Sequence, residues 1–276
     1  MSGDALRLER LSKSYDRIKA VDRVTLDIPR GQMVGVIGRS GAGKSTLLRL
    51  INRMADPTDG AIHHAGGRVD RLAGRDLLVW RSRCAMIFQQ FNLVPRLDVL
   101  TNVLLGRISR HRTLSSLFKR FSEAERVLAV QALDRLELAG HAFQRAETLS
   151  GGQQQRVAIA RALMQEPAIL LADEPIASLD PRNAARVMDA LKAINREDGI
   201  TVLCNLHTLD TARQYCDRIV GMAQGRVVFD GAPQAMTVDV VREIYQVGED
   251  EADLREELTS VSGLGMPKKA AAYAAA

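Results

Sequence analysis

The stretch Gly38-Arg39-Ser40-Gly41-Ala42-Gly43-Lys44-Ser45-Thr46 constrains this chain more than any other. It follows an apolar run, Met33 to Ile37, that reads as a buried strand, and it precedes Leu47 to Ile51, which reads as the start of a helix. Strand, glycine-rich turn and helix N-terminus are the context in which G-x-x-x-x-G-K-S binds phosphate. Glycines at 38, 41 and 43 allow the backbone to wind around an anion, where a Cβ would clash or forbid the dihedrals. Successive N–H groups then point inward at the positive end of the helix dipole. Lys44 can reach the outer phosphates, and Ser45 offers a hydroxyl to Mg²⁺. The alternative, a structural glycine-rich turn, does not account for the full spacing with both flanks. A nucleoside triphosphate site is expected.

Carboxylates are expected beside it. Residues 168–172 (AILLA) form an unbroken apolar strand that ends in Asp173-Glu174-Pro175. An acid at the carboxyl end of a core strand next to a phosphate loop commonly holds Mg²⁺, directly or through water. A second acid beside it can polarise a water for attack on a γ-phosphate. Unpaired charges at such a position have little structural rationale, because their burial is costly. Ile200 to Cys204 reads as another core strand with His207 just beyond it; a lone histidine is usually structural, but this position faces the same strand edge.

Composition excludes other classes. With 276 residues, 46% of them hydrophobic and 26% charged, the chain has the make-up of a globular domain. It has no apolar run of about 18 residues, so no membrane-spanning helix is expected, and the opening MSGDALRLER lacks the pattern of a secretory signal. Cys84, Cys204 and Cys216 are odd in number and widely spaced, which fits neither a zinc site nor a disulfide framework. The net charge of +5 is uneven. Arg107, Arg110, Arg112, Lys119, Arg120 and Arg126 form a basic stretch, and Glu249, Asp250, Glu251, Asp253, Glu256 and Glu257 an acidic one. Without interleaved aromatics to stack on bases, the basic stretch reads as a solvated helical face rather than a nucleic-acid surface.

Elsewhere the pattern changes in stages. Residues 6–36 alternate around Leu6, Leu8, Val24, Leu26 and Ile28 and break at Pro29-Arg30-Gly31, which predicts antiparallel strands and a turn. Tyr15 is expected in a loop between them, either stacked on a purine or simply edging a strand. A β segment from Gly60 to Val69 holds His63-His64; adjacent strand residues face opposite ways, so they make a poor metal pair. Cys84 to Phe88 predicts a buried strand, with Gln89-Gln90 at the sheet edge. From 97 to 146 the period is helical, with Val99, Val103 and Leu104 and then Val127, Leu128, Val130, Leu133, Leu136 and Leu138 as its apolar face. In Leu149-Ser150-Gly151-Gly152-Gln153, Ser150 and Gln153 form a capping box. Two glycines in a first helical turn are unfavourable, unless something must approach that backbone closely. Residues 219–222 and 226–229 read as a hairpin around Gly225.

Taken in order, the loop at 38–46, Gln89 after a strand, LSGGQ at 149–153, ILLADEP at 169–175, SLD at 178–180 and His207 resemble the ATPase subunits of ABC transporters. The resemblance covers roughly residues 6–235, and LSGGQ is its most specific part. It implies an α/β fold: a P-loop NTPase core with a mixed, mostly parallel sheet and flanking helices, an antiparallel β subdomain and an inserted helical subdomain. The expected layout is one ATPase domain at 6–247, its helical part at about 97–165, and an acidic then Ala-rich tail at 248–276.

The same resemblance implies residue roles, with ATP and Mg²⁺ as cofactors. Tyr15 would stack on adenine. Gly38, Arg39, Ser40, Gly41, Ala42, Gly43, Lys44, Ser45 and Thr46 would wrap the phosphates, with Lys44 on the β- and γ-phosphates. Ser45 and Gln89 would ligate Mg²⁺, and Asp173 would hold the ion from beyond its direct ligands. Glu174 would be the general base and His207 the switch contacting the γ-phosphate. Ser150, Gly151, Gly152 and Gln153 would bind ATP held by a second copy, so two chains would sandwich two nucleotides head-to-tail. Phe91 and Leu93, in the loop Gln89 to Val94, would be exposed contacts to membrane subunits.

The strings at 88–107, 113–122 and 205–231 are similar to those of phosphonate importers. That implies uptake of phosphonates, two transmembrane permease subunits, indirect contact with a solute-binding protein, no nucleic-acid partner, and a peripheral place on the cytoplasmic face of the inner membrane. The alternatives are an importer for polar amino acids, phosphate or metal chelates, a soluble relative acting on DNA or ribosomes, and a phosphate-loop kinase, which would lack LSGGQ.

Overall fold

A computed structural model describes residues 6–110 and 121–246. Arg112, Lys119 and Arg120 of the basic run, and the tail expected at 248–276, lie outside the described residues.

Two sheets organise the chain. Strands β1 (Leu6–Tyr15), β2 (Ile18–Ile28), β4 (Asp59–His64) and β5 (Gly67–Arg68) form an antiparallel sheet in the order β2-β1-β4-β5. The second sheet has the order β10-β9-β3-β8-β7-β6, from β3 (Met33–Ile37), β6 (Cys84–Ile87), β7 (Ile169–Asp173), β8 (Thr201–Asn205), β9 (Arg218–Ala223) and β10 (Arg226–Gly231). Its strands run parallel except β10, which pairs antiparallel with β9.

Strand alternation divides the core into two layers. Val34, Val36, Ile169, Leu171 and Leu203 pack toward the antiparallel sheet. Met33, Ile37, Leu170, Ala172, Val202 and Cys204 pack toward the helical side. The parallel strands are buried along their whole length, which is why they read as continuous apolar runs. Between the sheets sits α1 (Lys44–Ile51), with Leu47, Leu48, Leu50 and Ile51 buried. Helix α2 (Gly74–Arg83), which the sequence pattern did not suggest, leads into β6, and its Trp80 donates to the Ile51 carbonyl at 2.9 Å.

Between β6 and β7 the chain passes through α3 (Val99–Leu104), α4 (Glu123–Asp134) and α5 (Gly151–Leu163). All three begin at a capped N-terminus: Asp98 accepts from Thr101, and capping boxes join Ser122 to Glu125 and Ser150 to Gln153. The long α6 (Pro181–Asp198) starts at Asp180 and stops at the left-handed Gly199. Helices α7 (Leu209–Tyr215) and α8 (Val238–Tyr245) complete the described chain.

Three expectations change and one, the β segment from Gly60 to Val69, is refined. Tyr15 is the last residue of β1, paired with Ile18 across a tight turn whose Asp16 takes the left-handed conformation, so it does not sit in a loop. The segment from Gly60 to Val69 is a hairpin of two strands; His63 pairs with Glu9 at 3.4 Å, and His64 packs against Trp80. On α4 the buried residues are Ala129, Ala132 and Leu133, whereas Val127, Leu128 and Val130 are exposed. Small alanines let this helix lie close to its neighbours, so the larger side chains one step round face outward. Lastly, Phe91 and Leu93 are half-buried rather than exposed, and Leu93 packs on the main core. Arg161 of α5 donates to the carbonyls of Phe91 (2.9 Å) and Asn92 (2.5 Å), tying this loop to the helix.

Candidate active site

The phosphate loop spans the end of β3 and the start of α1. A Cβ on Gly38 (φ +152°) would stand 2.3 Å from the Met222 carbonyl oxygen, and one on Gly43 (φ +100°) 2.1 Å from that of Ala20. Both positions therefore require glycine for space and for conformation. The neighbouring strands brace the loop: the Asp22 N–H donates to Gly225 O at 2.8 Å, and the Gly225 N–H donates to Ala42 O at 3.0 Å. Helix α1 differs from the capped helices. Its N-cap is Gly43, no side chain caps it, and its first turn holds no acid, so its N-terminus is suited to an anion. Lys44 is 4% exposed, and its Nζ donates to the carbonyls of Gly38 (2.6 Å) and Arg39 (3.0 Å). The ammonium thus lies over the loop, where phosphate oxygens can compete for its donors.

Register brings the next group to the same edge. Asp173, the last residue of β7, pairs with Asn205, the last of β8, and Asn205 also pairs with Val36 of β3. Strand alternation turns both side chains toward α1. Ser45 Oγ donates to Asp173 Oδ1 at 2.7 Å, and Asn205 Nδ2 donates to the same oxygen at 2.8 Å. Asp173 is buried but twice hydrogen-bonded, which resolves the cost of placing a carboxylate there. A hydroxyl, a carboxylate and an amide oxygen are hard donors of the kind Mg²⁺ takes. Asn205 Oδ1 is buried with no partner, as an acceptor awaiting a ligated water would be. The residues therefore fit the ion.

One residue further, Glu174 takes the left-handed conformation (φ +51°). For a residue with a Cβ this costs on the order of 1–2 kcal/mol, a kind of strain that clusters at functional sites. It sets Glu174 Oε2 2.8 Å from His207 Nε2. The His207 backbone carbonyl accepts from the Tyr245 hydroxyl at 3.0 Å, so α8 helps to fix the loop after β8.

Other candidates lie with other neighbours. Tyr15 is 47% exposed, and Lys13 Nζ sits 4.9 Å from its ring centroid while donating to the Asp56 carbonyl at 2.8 Å. Gln89 is exposed in the loop after β6. Gly152 would place a Cβ 2.6–2.8 Å from the Asn183 side chain, one on Gly151 would stand in ordinary contact at 3.5 Å from Leu179 and 3.7 Å from Phe91, and Gln153 Nε2 lies 3.0 Å from His141 Nε2. The close approach that the second glycine permits is thus made by α6 of this chain. Asn205 was not singled out in the sequence. Its signal was a polar residue ending an apolar strand in register with Asp173, and register is invisible in a sequence alone.

Comparison with known proteins gives a consistent result. The ABC transporter family profile matches residues 21–177. The chain is 63% identical over 255 residues, 92% of its own length and 91% of the other's, to the phosphonates import ATP-binding protein PhnC of Rhizobium etli. It is 60% identical over 264 residues to the protein of the same name from Rhizobium meliloti, covering 96% and 93%. Among solved structures, a bacterial ABC transporter cassette in dimeric form is similar with a TM-score of 0.74 and 36% identity, over 84% of this chain and 100% of the other. A post-hydrolysis dimer bound to ADP and Pi matches over the same shares at 0.72 and 36%.

Proposed function

This chain belongs to the ABC transporter ATP-binding family, and from that premise we propose that it is the ATP-hydrolysing subunit of a phosphonate importer. The observation that carries the chemistry is the meeting of Lys44, Ser45, Asp173, Glu174 and His207 at the ends of β3, β7 and β8. Identities of 60–63% over nearly the whole chain to phosphonate import ATP-binding proteins support the substrate class.

In this reading the loop Gly38 to Thr46 cradles ATP, and Lys44 exchanges its two carbonyl partners for phosphate oxygens. Tyr15 offers its uncovered face to the base. Ser45, Asp173 and Gln89 would hold Mg²⁺, which when bound offsets the charge of the β- and γ-phosphates. Glu174 takes the proton of the attacking water, and His207, which already meets its carboxylate, orients it and contacts the γ-phosphate. Ser150, Gly151, Gly152 and Gln153 complete the site of a second copy. Support for that pairing comes from the dimeric cassettes similar to this chain. The working unit would be one ATPase domain at 6–247, with a helical part at about 97–165 and a tail at 248–276. It would join two permease subunits on the cytoplasmic face of the inner membrane, with a solute-binding protein acting through them and no nucleic acid involved. No helix among the described residues is long and apolar enough to cross a membrane.

ATPase activity in a complex reconstituted with its permease and binding protein tests the reading. Binding protein loaded with an alkylphosphonate is expected to stimulate hydrolysis, whereas stimulation by phosphate or an amino acid alone would overturn the substrate class.

A further inference from the structure

We propose that Asn205 is a positioning residue for the metal-holding carboxylate, fixing Asp173 through Nδ2 and leaving Oδ1 to accept a hydrogen bond from a water on the ion. The proposal rests on the ATPase reading above and deepens it at one residue.

The two halves of the amide are not interchangeable here. Asp173 Oδ1 accepts from Ser45 Oγ at 2.7 Å and from Asn205 at 2.8 Å. Turning the amide over would set its carbonyl oxygen against a carboxylate oxygen at that distance, a contact between two acceptors. The NH₂ must therefore face Asp173. This sends Oδ1 into a position buried from solvent and without a hydrogen-bond partner. Asn205 is fully buried, and so is Asp173 apart from a 5% edge. An unpartnered carbonyl in such surroundings carries the full cost of its desolvation. That arrangement makes sense where a donor arrives with the ligand.

The neighbours argue against a purely structural role. On this face of β8 and β7, Leu203, Leu171 and Ile169 belong to the apolar layer, and buried Thr201, at the far end of β8, has a partner of its own because its hydroxyl accepts from the Gly31 N–H at 2.9 Å. An apolar residue at 205 would continue that layer and leave no orphan. What the amide adds is a second donor on the oxygen that Ser45 already meets. This holds the carboxylate plane and leaves Asp173 Oδ2 for the ion's water shell. Groups that orient metal-binding carboxylates typically change metal affinity about 10- to 100-fold when removed.

The test uses the full chain with Asn205→Leu, measuring ATP affinity by calorimetry with Mg²⁺ and in EDTA. The Mn²⁺·ADP complex is compared by electron paramagnetic resonance. The expected result is at least a 10-fold weakening of ATP binding with Mg²⁺, a change under twofold in EDTA, and an altered Mn²⁺ spectrum. Equal weakening under both conditions, or none, would overturn the proposal. If Asn205→Leu does not fold, Asn205→Ser must give the same split between the two conditions. Failure of the unaltered chain to bind MgATP would instead sink the ATPase reading itself.

Discussion

Glu174 Oε2 lies 2.8 Å from His207 Nε2, two side chains carried by the loops that follow adjacent strands β7 and β8. Glu174 takes the left-handed backbone and meets His207, whereas Asp173 accepts from Ser45 and Asn205. The two acids therefore face different partners although they are neighbours in sequence.

The first prediction follows from that division. Glu174→Gln keeps the shape and can still meet His207, but loses the basic oxygen. Hydrolysis should fall by about 100-fold or more while ATP affinity stays within threefold. With turnover blocked, the closed pair of chains should accumulate. Size-exclusion chromatography is expected to show a dimer only with ATP, and a monomer with and without nucleotide would remove the two-chain site.

Lys44 gives the second. Its ammonium makes two hydrogen bonds within the loop and is nearly buried. Lys44→Ala should weaken ATP binding about 10- to 100-fold, as expected for losing charge-assisted contacts of roughly 1.5–3 kcal/mol. Calorimetric titration checks it, and an unchanged affinity would place the phosphates elsewhere.

Much of this was legible because short-range patterns suffice for it. The phosphate loop, the Asp173-Glu174 strand end and the Ser150 capping box each depend on a few consecutive residues, and all three took the expected backbone. What the sequence hid depends on packing between distant segments. Helix α4 offers Val127, Leu128 and Val130 on one face and Ala129, Ala132 and Leu133 on another, so only its neighbours decide that the alanine face turns inward. Phe91 and Leu93 follow two glutamines and look like a surface loop, until Arg161 pulls their backbone onto α5. Asn205 gains its meaning only from strand register.

Gly152 supplies the third prediction. A Cβ there would press on Asn183 at 2.6–2.8 Å, so Gly152→Ala should lower stability by about 1–3 kcal/mol through overpacking. Asn183→Ala in the same chain should return at least half of that in a denaturant titration. Additive losses in the double variant would show that the contact is not the cause.

The last prediction concerns pH and the three thiols, all buried. Burial pushes Cys216 up to about 12 and holds Cys84 and Cys204 well above the ordinary thiol value. In the unfolded chain each should ionise near pH 8.5. The folded-state values are raised, so the stabilisation is complete below about pH 8.5 and is lost as pH climbs toward the folded-state values. For each thiol the loss approaches about 1.4 kcal/mol per pH unit above that point. Cys216→Ala should therefore flatten the decline in unfolding free energy between pH 8.5 and 10 by about one thiol's share, measured by urea titration against the unaltered chain. Identical slopes would mean that Cys216 already ionises in the folded protein. In that case iodoacetamide should modify it under native conditions, whereas a protonated buried thiol should react only after unfolding.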